Sequence, residues 1–97
     1  MSRALLERRL TENADRLREA RDELAVVDEQ LAHLAGEAEE ARIRSLLSET
    51  PLAEHEHREA ARHADAMARH RAAVIGEIER LERVQDELLD RLIAAGR

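Results

Sequence analysis

The chain has 97 residues, a length for one domain, and contains no Phe, Tyr or Trp. A compact globular core of this size normally draws on aromatic side chains; here Leu, Ala, Val, Ile and Met must supply all the buried surface, which suits a thin seam between two helices. The net charge of −6 argues against a nucleic-acid binder, and the absence of Cys excludes disulfides and thiolate metal sites.

No apolar run approaches the roughly 20 residues of a membrane span, and the stretch from Met1 to Leu10 lacks the apolar core of a signal peptide. A cytoplasmic protein with no nucleic-acid or membrane partner is expected. Charged residues make up 39 % of the chain, with Ala, Glu, Leu and Arg dominating, a bias typical of coiled coils.

The first predicted element is a helix over 2–47. Steps of three and four residues pick out Leu6, Leu10, Asn13, Leu17, Ala20, Leu24, Val27, Leu31, Leu34, Ala38 and Ala41. Only Asn13 breaks an otherwise apolar line, and such a line is a coiled-coil seam. A turn over 48–51 follows. Thr50 is a good N-cap and Pro51 a good first helical residue, with its fixed φ and missing donor. Glu54 and Glu56 then favour the positive end of the next helix.

The second predicted helix covers 52–95. Its line runs through Ala60, Ala64, Met67, Arg71, Val74, Ile78, Leu81, Gln85, Leu88, Leu92 and Ala95. Folding the chain at Glu49 sets Leu17 against Leu81, Ala20 against Ile78 and Leu24 against Val74. It also sets Asn13 against Gln85, so the polar interruptions of the two seams meet. A partnered polar pair in a seam fixes register, because a slip would bury each amide alone. Arg71 falls opposite Val27, with its stem along the seam and its head in water. Gly36 and Gly76 lie inside the arms, as tolerated residues or close-approach points, and a break at Gly36 would give three helices. The fold class is therefore all-α: an antiparallel two-helix coiled-coil hairpin over 1–97.

Several large apolar residues lie beside the seam. They are Leu5, Leu89 and Ile93 at the open end, Val26 and Ile75 in the middle, and Ile43, Leu46, Leu47 and Leu52 near the turn. A wide apolar stripe signals more than one neighbour, and two thin helices bury little surface for their length. The expected interface comprises Leu5, Leu89, Ile93, Ile43, Leu47, Leu52 and Ile75. Two hairpins would associate through it as a symmetric homodimer, a four-helix bundle. Outward charges at helical spacing, such as Arg18 with Asp22, mark a solvated face.

Among chemistry-bearing groups, His55, Glu59 and His63 recur four residues apart on one helix face and are the candidate metal ligands, through imidazole and carboxylate. The Glu-x-x-His motif of di-iron bundles occurs once, at Glu54–His57, where a paired site needs two. No phosphate loop or Cys nucleophile is present; Ser45 or Ser48 near His57 is the one conceivable nucleophile and base. No cofactor and no enzymatic activity are expected.

The turn, with Glu49, Glu54 and Glu56, resembles the acidic tip of the regulators that insert a coiled-coil hairpin into the secondary channel of RNA polymerase. That resemblance implies tip carboxylates acting near a catalytic metal. The string from Ser48 to His70 resembles small actinobacterial coiled-coil proteins, a family with no activity to carry over. A GC-rich genome of that kind also accounts for sixteen basic residues that are all Arg. The leading functional expectation is a non-enzymatic coiled-coil interaction or scaffolding module that binds itself and another protein. The alternatives are a polymerase regulator with an acidic tip and a metal-binding bundle.

Overall fold

The computed structural model describes residues 1–96, which form two helices, α1 (Arg3–Ser48) and α2 (Pro51–Ala95). Each end of α1 has a local cause. Ser2 caps the start: its Oγ accepts the Leu5 N–H at 3.2 Å, and its carbonyl takes the first helical bond, from Leu6 N–H, at 3.0 Å. The far end closes through Glu49, whose N–H donates to the Ser45 carbonyl at 3.1 Å from a left-handed backbone with φ 50°. That is the single-bond left-handed cap, a position that usually holds Gly.

Thr50 then starts α2 as its N-cap. Its Oγ1 accepts the Ala53 N–H at 3.2 Å and its carbonyl accepts the Glu54 N–H at 3.1 Å, with Pro51 as the first helical residue. The connection is therefore only Glu49 and Thr50. The turn expected over 48–51 is shorter by one residue at each side, because Ser48 still closes α1 and proline is at home in a first turn.

Packing divides the hairpin into two compact units, Met1–Leu24 with the segment from Val74 onward, and Ala25–Ala73. In the first unit, Leu17, Ala20, Val74, Ile78 and Leu81 form one buried cluster with Leu24 against it. Those six residues are three of the facing pairs that a fold at Glu49 requires. Leu6 and Leu88 are also buried, towards the open end.

Asn13 is buried in the same unit, and its Nδ2 donates to the Leu81 carbonyl at 2.9 Å. The expected partner, the Gln85 side chain, is half-buried and is not the acceptor. In an α-helix the Leu81 carbonyl is the acceptor for the Gln85 N–H. Asn13 thus meets the backbone turn that ends at Gln85 rather than its amide, using the carbonyl's second lone pair. The facing pairs of the buried cluster keep the expected spacing, but the Asn13–Gln85 amide pair is not made.

In the second unit, Val27, Ala41 and Ala53 are buried, while Leu31, Leu34, Ala38, Ala60, Ala64 and Met67 are half-buried. Alanines dominate this half of the seam. Arg71 is half-buried, and its Nε donates to Asp28 Oδ1 on the other helix at 2.5 Å. The guanidinium reaches the exposed surface as expected, and there it is also tied across the seam. Both helices run unbroken through Gly36 and Gly76, and a Cβ at either glycine would meet nothing within 4 Å. Neither is a close-approach point.

Candidate functional site

The turn end carries the three most exposed large apolar side chains, Leu47, Leu52 and Leu46. On α1, Ile43, Leu46 and Leu47 lie three and four residues apart on the face turned away from the seam positions Ala41 and Ser45. Leu47 is 81 % exposed, Leu52 on the first turn of α2 is 66 % exposed and Leu46 61 %. Ile43 is exposed as well. These side chains have no place in the seam because the ruler of steps of three and four passes between them. Glu49, Glu54 and Glu56 are all exposed at the same end.

The flank of the patch is fixed by one forked ion pair. Arg42 donates from Nη2 and Nε to the two carboxylate oxygens of Glu39 at 2.6 and 2.9 Å. Those hydrogen bonds hold the Glu39 carboxyl below its ordinary value, with the charges of Arg42 and His57 acting in the same direction. The Ser45 hydroxyl donates to the Arg42 carbonyl at 2.8 Å. It is therefore engaged with its own helix rather than with His57.

His57 itself is half-buried and Ala53 is buried, although the second seam was expected to begin at Ala60. Continuing the same steps of three and four backwards from Ala60 reaches both. The signal was present in the spacing; the imidazole hid it, since a search for apolar residues stops at His.

Elsewhere, the remaining interface candidates separate. Leu89, Ile93 and Val26 are exposed, whereas Leu5 and Ile75 are half-buried against their own unit. His55 and His63 are exposed, and Glu59 between them is paired with Arg62. His33 is paired with Glu37 at 3.1 Å. Among the described residues no three His, Asp or Glu side chains are gathered to hold a metal. The four-residue spacing is real, but a helix row offers only one side of a coordination shell. On the outer face Arg18 pairs back to Asp15 at 3.2 Å instead of forward to Asp22.

Shallow grooves lie beside the seam. One of about 420 Å³ is floored by Leu34 and Met67 with His33 at its rim. No helix among the described residues is long and apolar enough to cross a membrane. No family model, curated protein or solved structure matches this chain.

Proposed function

We propose that this chain is a non-enzymatic coiled-coil module that acts by docking on protein surfaces, with the turn end as its contact for a partner protein. The observation that carries the reading is the exposure of Leu46, Leu47 and Leu52 around one two-residue turn. Fully burying one such side chain contributes about 1.5–3 kcal/mol. Exposed apolar patches rimmed by charge mark interaction sites, and here Glu49, Glu54 and the Arg42–Glu39 pair form the rim.

The double variant Leu47→Glu with Leu52→Glu is the test. Its helicity and thermal midpoint are expected to match the parent, since exposed positions change stability by no more than about 0.5 kcal/mol. Proteins cross-linked to the parent in lysate are expected to be lost. An identical set of cross-linked proteins in parent and variant would refute the reading.

A second reading places function in the turn's carboxylates, as in regulators that reach an RNA polymerase metal site. The supporting observation is Glu49 at φ 50°, a conformation that costs a non-glycine residue about 1–2 kcal/mol. Retaining a carboxylate there at that cost suggests use. Glu49→Gly is expected to raise the thermal midpoint, gaining up to about 1 kcal/mol, and to abolish any effect on transcription in vitro. A stabilised variant with an undiminished effect sets this reading aside.

A further inference from the structure

Nothing inside the chain accounts for Gly36. Glycine within a helix is destabilising relative to Ala, yet a Cβ at this position would meet nothing within 4 Å, and α1 continues through it without a positive φ. The space above it is open. Gly76 is equally open, but the line of steps of three and four through it holds Arg69, Ala73, Arg80 and Arg83, with no large apolar side chain.

The line through Gly36 is different. It runs Gly36, Glu40, Ile43, Leu47, in steps of four, three and four. This is the ruler of the seam repeated on the opposite face of α1. Ile43 and Leu47 are exposed, as is Glu40 between Gly36 and Ile43. Further back the line holds Glu29 and His33, both exposed and polar, so its apolar part ends at Gly36. One face therefore carries a large side chain and a gap, about three turns apart.

Reversed end to end, this line fits itself. Leu47 of one copy falls over Gly36 of the other, and Ile43 over the Glu40 stem, each twice about a two-fold axis between Glu40 and Ile43. The two Ile43 side chains then meet beside the axis. Glu37 and Arg44 flank the line on one side, so reversal sets Arg44 of each copy against Glu37 and Glu40 of the other. Among the described residues Glu40 and Arg44 have no ion pair, and Glu37 is engaged by His33 through Oε1.

Parallel copies would set Arg44 against Arg44 and Glu37 against Glu37. Glu39 is already forked to Arg42, which leaves one arginine against two glutamates in each copy. Apolar contact therefore drives the association, and charge selects its direction.

We infer that this face of α1 is the contact for a second copy of the chain, packed antiparallel, with Leu47 of each copy in the gap over Gly36 of the other. The inference rests on the reading of the chain as an interaction module and adds the partner, the face and the orientation. A contact over about three turns is smaller than a standard interface of about 1,600 Å², which sets the expected Kd on the order of 10 μM.

Sedimentation of the purified full-length chain across a concentration series tests it. The parent is expected as a dimer in equilibrium with monomer. Gly36→Gln puts bulk into the gap without touching the chain's own packing. Its helicity by circular dichroism is expected to match the parent, and its Kd to weaken at least about tenfold. Arg44→Glu, and Glu37→Arg with Glu40→Arg, should each weaken the Kd at least about fivefold, and an equimolar mixture of the two should pair at parent strength. The charge variants decide the matter if Gly36→Gln loses helicity.

A parent that stays monomeric to about 1 mM, or a Gly36→Gln variant with the parent's helicity and Kd, would overturn the inference. Charge variants that keep the parent's Kd would overturn the antiparallel direction and the inference with it. Loss of the dimer on Leu52→Glu, with Gly36→Gln unaffected, would move the contact to the turn. A monomeric parent whose cross-linked proteins are still lost in Leu47→Glu with Leu52→Glu removes this inference and leaves the interaction module standing.

Discussion

Leu81→Ala is expected to cost about 3 kcal/mol of folding stability. Leu81 is 2 % exposed and sits in one cluster with Leu17, Ala20, Val74 and Ile78. Truncating a buried Leu loses its transfer free energy and leaves a cavity, together about 2–5 kcal/mol depending on how far the site collapses. A two-helix seam open on both flanks relaxes more readily than a globular core, which places the cost in the lower half of that range. Against a domain stability of about 5–15 kcal/mol this is a large fraction.

Urea unfolding reads it as a shift of the midpoint at unchanged slope. Leu46→Ala, at an exposed site, supplies the control and should change stability by no more than about 0.5 kcal/mol. Leu17→Ala should behave like Leu81→Ala, and the double variant should be non-additive because the two lie in one cluster. A cost below about 1 kcal/mol for Leu81→Ala would mean that the facing surfaces are not the ones described.

Ala41→Leu is expected to cost about 1–3 kcal/mol, the usual range for overpacking. Ala41 is also 2 % exposed, in the half of the seam where Ala38, Ala53, Ala60 and Ala64 are buried or half-buried. Alanines line both helices there, with half-buried His57 between Ala53 and Ala60. A Leu at this position must either part them or turn out of the seam, and either move disturbs the segment that carries Ile43, Leu46 and Leu47. Faster amide exchange between residues 38 and 60 is the accompanying signature. Ala35→Leu, on an exposed position of the same helix, should leave stability within about 0.5 kcal/mol. If Ala41→Leu stabilised the chain instead, the helices would not be held at alanine distance.

The seam was legible because it is redundant. Every position on the first ruler, from Leu6 to Ala41, is buried or half-buried, and on the second only Ala95, at the helix end, is exposed. The turn was legible through Thr50 and Pro51, whose chemistry fixes a helix start without help from anything distant. The apolar surplus around Ile43, Leu46, Leu47 and Leu52 was legible by subtraction, since a two-helix seam has room for only one stripe from each arm. Glu49 gave no sign of its left-handed backbone, because the residues that announce that conformation are Gly and Asn. Arg18 was expected to pair forward with Asp22 and pairs back to Asp15, as spacings of three and four are both within reach on a helix and the rotamer chooses between them.

Period, turn position and the two facing sets of side chains are properties of the sequence itself, because each is summed over many residues whose polarity alone decides the outcome. Two things belong to the tertiary structure. Asn13 binds the Leu81 carbonyl, an acceptor every residue carries and no sequence distinguishes. Arg71 finds Asp28 across the seam, which depends on how far apart two particular backbones lie.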